Sequence, residues 1–323
     1  MLKSLTASAR SDAWRTVAVQ ALDAYEATPT PVSSQAFTFS QALLATARLY
    51  GWDDPRVPAL ISEIMALRNP DGGWGVNTAW DAFQDGSTNP STTTYTVTLA
   101  GHVGPALLAA YQHGMLPDGN NPEPLQKITA LLMGTAQYSS SIGRCVSYSR
   151  AAADSATNNS SRCVHNVNAG VADYLTQANA AGFGATGLQK LVVDIVRFEI
   201  ATYNPAWSGW SYMYGQTTKQ DADHGSYTAA SLYFAAYPVG REAAYQLLAA
   251  PATDDAGRRA HLRLVSLPGG PGSQALDGSG ATLWAEMGDQ WLDEASDYVT
   301  SSAGDASRLA QAAAAAAANS AAS

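Results

Sequence analysis

Two segments of the chain, Asn69-Pro70-Asp71-Gly72-Gly73-Trp74-Gly75 and Asn204-Pro205-Ala206-Trp207-Ser208-Gly209-Trp210, each carry Asn-Pro followed by Gly-Trp. An aspartate stands eleven positions past the last Trp of each, Asp85 after Trp74 and Asp221 after Trp210. Each unit then runs through a Tyr-Thr pair, Tyr95-Thr96 or Tyr227-Thr228, into an apolar segment. Arg162 to Asn166 leads into a further segment in a similar way, as does Ser34-Gln35 near the N-terminus. A unit repeated like this does not bury its apolar face alone, so its copies must stack on one another.

The segments between these turns read as helices. Apolar residues recur at three- and four-residue steps over 12–27, 34–50, 56–68, 94–113, 124–137, 169–180, 186–201, 226–237, 241–249 and 281–299, while strand-like alternation is nearly absent. Breakers separate them: Pro117-Asp118-Gly119, Pro238, Pro251 and the Pro268 to Gly272 run. The expected fold is all-α, an α/α toroid of helix pairs whose inner helices aim their N-termini at a shared cavity. Residues 1–305 make up that single domain, and 306–323 form an Ala-rich tail without an apolar stripe, expected to fray. Helix N-termini carry unsatisfied N–H groups and the positive end of the dipole, so polar chemistry is expected there.

Composition excludes several function classes. Charged residues are only 14% of the chain and the formal net charge is -9, which argues against nucleic acid or an anionic membrane as partner. No run of about 18 apolar residues exists to span a bilayer. Peripheral contact with a membrane is compatible with the sequence, and without a secretory leader the chain reads as cytoplasmic. Cys145 and Cys163 are the only cysteines. They are read as free thiols on compartment grounds, with a local disulfide as the alternative in an oxidising environment.

The chemistry concentrates at Gly209-Trp210-Ser211-Tyr212-Met213-Tyr214 and Asp221-Ala222-Asp223-His224. Two carboxylates one residue apart can repel or share a proton, which would keep one of them protonated near neutrality as a general acid. The plainer reading is a helix cap, since Asp favours that position. The Gly-Trp-Gly unit resembles the aromatic-Gly repeats of squalene-hopene cyclases and other class II terpene cyclases. Gly209 to Tyr214 followed by Asp221 to His224 is similar to that family's aromatic segment and its Asp-x-Asp-Asp motif, with His224 in place of the last Asp. The resemblance implies proton-initiated cyclisation of a prenyl or polyprenyl substrate, with Asp223 as the acid and Asp221 and His224 tuning and reprotonating it. Tyr212, Tyr214, Trp207, Tyr227, Tyr95, Trp80 and Phe83 would line the cavity and stabilise cations over their faces. Taken singly, each of these aromatics reads equally as core packing. No cofactor is required, and magnesium enters only for a diphosphate substrate.

Two alternatives stay open. One is a polysaccharide lyase of the α/α-toroid type, in which His165 and Asn166, with Tyr227 and the nearby Arg144 and Arg162, neutralise a uronate and abstract its α-proton. The other is a toroid that binds without catalysing. Cys145, Cys163 and His165 offer zinc-ligand chemistry, but without a paired C-x-x-C spacing. His102 and His113 read as structural.

Overall fold

The computed structural model describes residues 7–157, 159–234, 238–250, 253–265 and 303–322. The chain is mostly helical. Helices α1 (Ala7–Glu26), α2 (Gln35–Tyr50) and α3 (Arg56–Ala66) come first. The short α4 (Thr96–Thr98) continues through a π-helical turn (Leu99–Val103) into α5 (Gly104–Gln112). A four-residue turn, α6 (Pro117–Asn120), and α7 (Glu123–Met133) lead to a hairpin of β1 (Gln137–Ser140) and β2 (Gly143–Val146). Then follow α8 (His165–Ala180), α9 (Leu188–Thr202), α10 (Ala222–Phe234), α11 (Pro238–Ala249), α12 (Asp255–Val265) and α13 (Ala303–Ala322). Among the described residues, no helix is long and apolar enough to cross a membrane.

Neighbouring helices pack in pairs: α2 on α3, α8 on α9, α10 on α11 and α12, and α1 on α13. Across the middle, α8 packs on α10 and on the π-helical turn, which in turn packs on α2. The Gly-Trp turn of the repeat has the same closing bonds in both copies. The indole N–H of Trp74 donates to the Ile64 carbonyl (2.7 Å) and that of Trp210 to the Glu199 carbonyl (2.8 Å). Each buried Trp thereby pins its turn to the end of the preceding helix, α3 or α9. The turns close alike, Asn69 N–H donating to Gly73 O and Asn204 N–H to Gly209 O. A Cβ at Gly75 would stand 2.0 Å from the Thr93 carbonyl, so only glycine fits that approach.

The structure departs from the sequence expectations at four places. The Ala-rich tail is a docked helix. Ala310 and Ala313 are fully buried, Ser307 Oγ donates to Gln41 Oε1 (2.9 Å), and Ser11 Oγ donates to the Ala317 carbonyl (2.9 Å). Small side chains let α13 approach α1 and α2 closely, and this replaces the missing apolar stripe. The second departure is the hairpin at 137–146, whose four-residue strands are too short to show a period of two. It lies on α9 so closely that a Cβ at Gly143, where φ is 139°, would meet the Asp194 carbonyl at 2.2 Å. Third, α8 and α10 begin one turn earlier than their apolar patterns, because their first turns are polar residues engaged in tertiary hydrogen bonds. Fourth, α12, absent from the expected helices, is capped by Asp254 Oδ1, which accepts from Gly257 N–H (2.8 Å). The helix expected over 281–299 and the Pro268 to Gly272 loop lie outside the described residues.

Candidate functional site

A cavity of about 800 Å3 is lined by α2, the π-helical turn, α8, α10, α12 and α13. One face of each long helix supplies its wall at three- and four-residue steps, as in Phe37, Gln41, Leu44 and Arg48 of α2 and Asn166, Gly170, Asp173 and Gln177 of α8. Gly101 and Gly170 keep it open, since a Cβ at either position meets no atom within 4 Å. The π-helical turn has a local cause. Pro105 has no N–H to continue the helical ladder, and Gly104 N–H instead reaches back to the Leu99 carbonyl. Gly104 is fixed by the packing, because a Cβ there would lie 2.6 Å from the Tyr174 ring. The widened turn carries His102 on the cavity wall.

Asp223 sits where α10 meets α12 and α13. Arg259 Nε donates to its Oδ2 and Arg263 Nη1 to its Oδ1, both at 2.7 Å, while Arg308 Nη1 stands 4.0 Å from Oδ2. Burial alone would raise the Asp223 carboxyl, but the charges of Arg263 and Arg308 and the hydrogen bonds from Arg263 and Arg259 outweigh it and hold it well below the usual carboxylate range. This corrects the expectation of a protonated Asp223: the carboxylate is ionised and serves as counter-charge to the arginines. Asp221 does not share its proton. Its Oδ1 accepts from His224 N–H (3.0 Å) and its Oδ2 lies 2.6 Å from His224 Nδ1, so it caps α10. The bond to His224 lowers the Asp221 carboxyl. His224 packs edge-on against Tyr212, ring centroids 4.8 Å apart.

Of the residues expected to line the cavity, Tyr212, Tyr227 and Asn166 do so, together with Asp223 and His224. The others are elsewhere. Trp80, Phe83 and Tyr95 form a separate aromatic cluster behind Tyr148, itself a lining residue; Trp80 and Tyr95 have ring centroids 5.1 Å apart. Tyr214 packs against Phe198 beside the cysteines (5.1 Å), and Trp207 belongs to the Asn204 turn. His165 is buried with its Nδ1 2.8 Å from Glu199 Oε2, and Asn168 donates to the other carboxylate oxygen (2.7 Å). This network fastens α8 to α9 and occupies the histidine. Arg144 pairs with Asp194, and Arg162 with Asp85 of the first repeat, so neither faces His165. Among the described residues, no three His, Cys, Asp or Glu side chains converge in a metal-binding arrangement.

The structure adds residues that the sequence reading passed over. His102, read as structural, lies edge-on to Phe37 at 4.5 Å and to Tyr227 at 6.2 Å. Burial, then repulsion from Arg308 and Arg263, pushes it down to about 3, so it is uncharged near neutrality. The Arg263 guanidinium lies over the Tyr227 ring, 3.2 Å from its centroid. Among the described residues Asp173 accepts from Gln177 (2.9 Å), and burial pushes its carboxyl up to about 6. Arg48 lines the cavity and forms no ion pair among the described residues. The described lining thus holds four arginines, Arg48, Arg259, Arg263 and Arg308, against two aspartates, Asp173 and Asp223, in a chain of net charge -9. A visible signal pointed to α12: Asp254-Asp255 followed by Arg258, Arg259 and Arg263, with Ala260 and Leu264 on the opposing stripe.

No protein-family model matches the chain, and no curated protein matches it.

Proposed function

We propose that the chain is an α/α toroid whose cavity binds an anionic, hydroxyl-rich organic molecule, a uronate-bearing saccharide, and eliminates across it. The observation that carries this reading is that the described lining of the cavity holds four arginines against two aspartates in an acidic protein. A cation-lined concavity concentrates anions and neutralises a carboxylate where its α-proton must leave. Serine, threonine, glutamine and asparagine side chains on the same wall, such as Thr38, Gln41, Asn166 and Ser231, suit hydroxyl groups better than a hydrocarbon chain.

Arg259 and Arg263, oriented by Asp223, hold the substrate carboxylate. In the elimination the proton α to that carboxylate is removed, the C–O bond β to it breaks, a C=C bond forms, and the departing oxygen takes a proton. Tyr227 supplies a hydroxyl beside Arg263 for that second transfer, and His102 accepts the α-proton. The low proton affinity of His102 comes partly from Arg308 and Arg263, so a carboxylate seated among them raises it as substrate binds. The test is incubation with oligouronates, following the ultraviolet absorbance of unsaturated ends. Wild-type protein is expected to produce it and Tyr227→Phe to lose at least ~100-fold in rate. Equal rates in the two remove Tyr227 from the reaction.

One observation favours a second reading, proton-initiated cyclisation of a prenyl compound. Asp173 is a cavity carboxyl that holds its proton up to about 6, which is the property that Asp223 lacks. In that reading Asp173 is the acid, and Phe37, Tyr148 and Tyr212 stabilise the cations. Prenyl compounds then give cyclised products that disappear in Asp173→Asn and persist in Tyr227→Phe, the reverse of the first pattern.

A further inference from the structure

The two cysteines stand 18 positions apart in sequence and share one buried cluster in the fold. Cys145 lies on β2 and Cys163 two residues before α8; neither has any exposed surface. Both are free thiols in the folded chain, with Cys145 Sγ donating to the Val146 carbonyl (3.5 Å), and Asn168 of α8 bonds the backbone on either side of Cys145, accepting from Val146 N–H (3.0 Å) and donating to the Arg144 carbonyl (3.3 Å). Ala156 and Phe198 complete a shared apolar shell, with Tyr138, Ile142 and Tyr214 packed around it. That shell gives a thiolate nothing to stabilise it. Burial pushes the Cys145 thiol well up, which disfavours a nucleophile or metal ligand. His165, the nearest imidazole in sequence, is engaged by Glu199.

We propose that Cys145 and Cys163 are a cross-linking site, joined by a disulfide that ties the β1–β2 hairpin to the start of α8. The reaction takes two thiols and one small-molecule or protein disulfide as oxidant. A thiolate of the pair attacks the oxidant and releases one reduced thiol. The second cysteine then attacks the mixed disulfide, forming the internal S–S bond and releasing the other reduced thiol, two protons having moved from the cysteines to the leaving thiolates. Both sulphurs are inaccessible in the folded chain, so the bond forms before the shell closes and afterwards resists reduction. Its placement bears on the cavity, because Asn166 of the same first turn of α8 lies on the cavity wall.

The test is refolding of the full chain in a glutathione redox buffer and, separately, under a reductant. The oxidised product is expected to show no alkylatable thiol after denaturation. Trypsin should release Cys145–Arg150 joined to Cys163–Lys190, a pair of peptides set by cleavage after Arg144, Arg150, Arg162 and Lys190. The oxidised form should melt higher than the reduced one by about 5 °C or more. Cys145→Ala and Cys163→Ala should each melt at one temperature in both buffers, and the folded cross-link should survive a water-soluble phosphine until denaturant is added. Two titratable thiols after oxidative refolding, a cross-link between chains, or an oxidised form that melts below the reduced one would each overturn the proposal.

Discussion

Replacing Asp223 by Asn removes one charge and leaves three arginine side chains facing a neutral amide. Asp223 retains 14% side-chain exposure, Arg263 13% and Arg259 24%, so the two pairs are mostly withdrawn from water. Breaking a buried pair by removing one partner costs about 3–5 kcal/mol. Arg259 is the more exposed and can turn toward solvent, which sets the expectation at about 3 kcal/mol, the lower end of that range. The pH dependence is equally specific. The carboxyl is depressed in the folded chain, so its contribution is complete above the unfolded value of about 4 and fades only as pH falls through the still lower folded value. Urea unfolding of wild type and Asp223→Asn from about pH 2 to 8 is the assay. The gap between them is expected to stay constant from pH 5 to 8 and to narrow only below about pH 4. A variant as stable as wild type, or a gap that closes on approaching pH 6, would show Asp223 to be a protonated group and refute its assignment as counter-charge.

Two further outcomes follow from the cavity. Asp173 is raised to about 6 by burial, so its ionisation works against folding as pH climbs from about 4 through that value. Asp173→Asn is expected to gain about 1–3 kcal/mol over wild type at pH 8 and to match it at pH 4, measured by denaturant unfolding. Gly170 faces open space, so Gly170→Phe should fold with stability within ~1 kcal/mol of wild type and weaken ligand binding at least ~10-fold by filling the cavity. Unaltered binding in that variant, by calorimetric titration, would place the ligand elsewhere.

The helices were legible where an apolar stripe faces a core, as in α2, α3 and α9. They were not legible where something other than a stripe holds the element. Alanines dock α13 by close approach, and Gly143 lets the hairpin lie on the α9 backbone. The Gly-Trp turn was legible in both copies, because each Trp performs a local task, bonding a carbonyl in the last turn of the preceding helix, whereas the equally spaced Asp85 and Asp221 have different partners, Arg162 and His224. Part of the cavity lining was also legible, since Asp223, His224, Tyr212, Tyr227 and Asn166 all reach it. Their chemistry was not. The state of Asp223 depends on Arg259, Arg263 and Arg308, which lie 36 to 85 positions away and meet it only in the folded chain. His102 was hidden for a related reason, since a proline three residues on opens the turn that presents it.

The proposed elimination requires above all that the cavity select an anion. Calorimetric titration of wild-type protein with an oligouronate and with the same oligosaccharide after its carboxylates have been reduced to alcohols tests it most directly. The charged form is expected to bind at least ~100-fold tighter than the neutral one, with an affinity that weakens as salt is added. Equal binding of the two forms would contradict it.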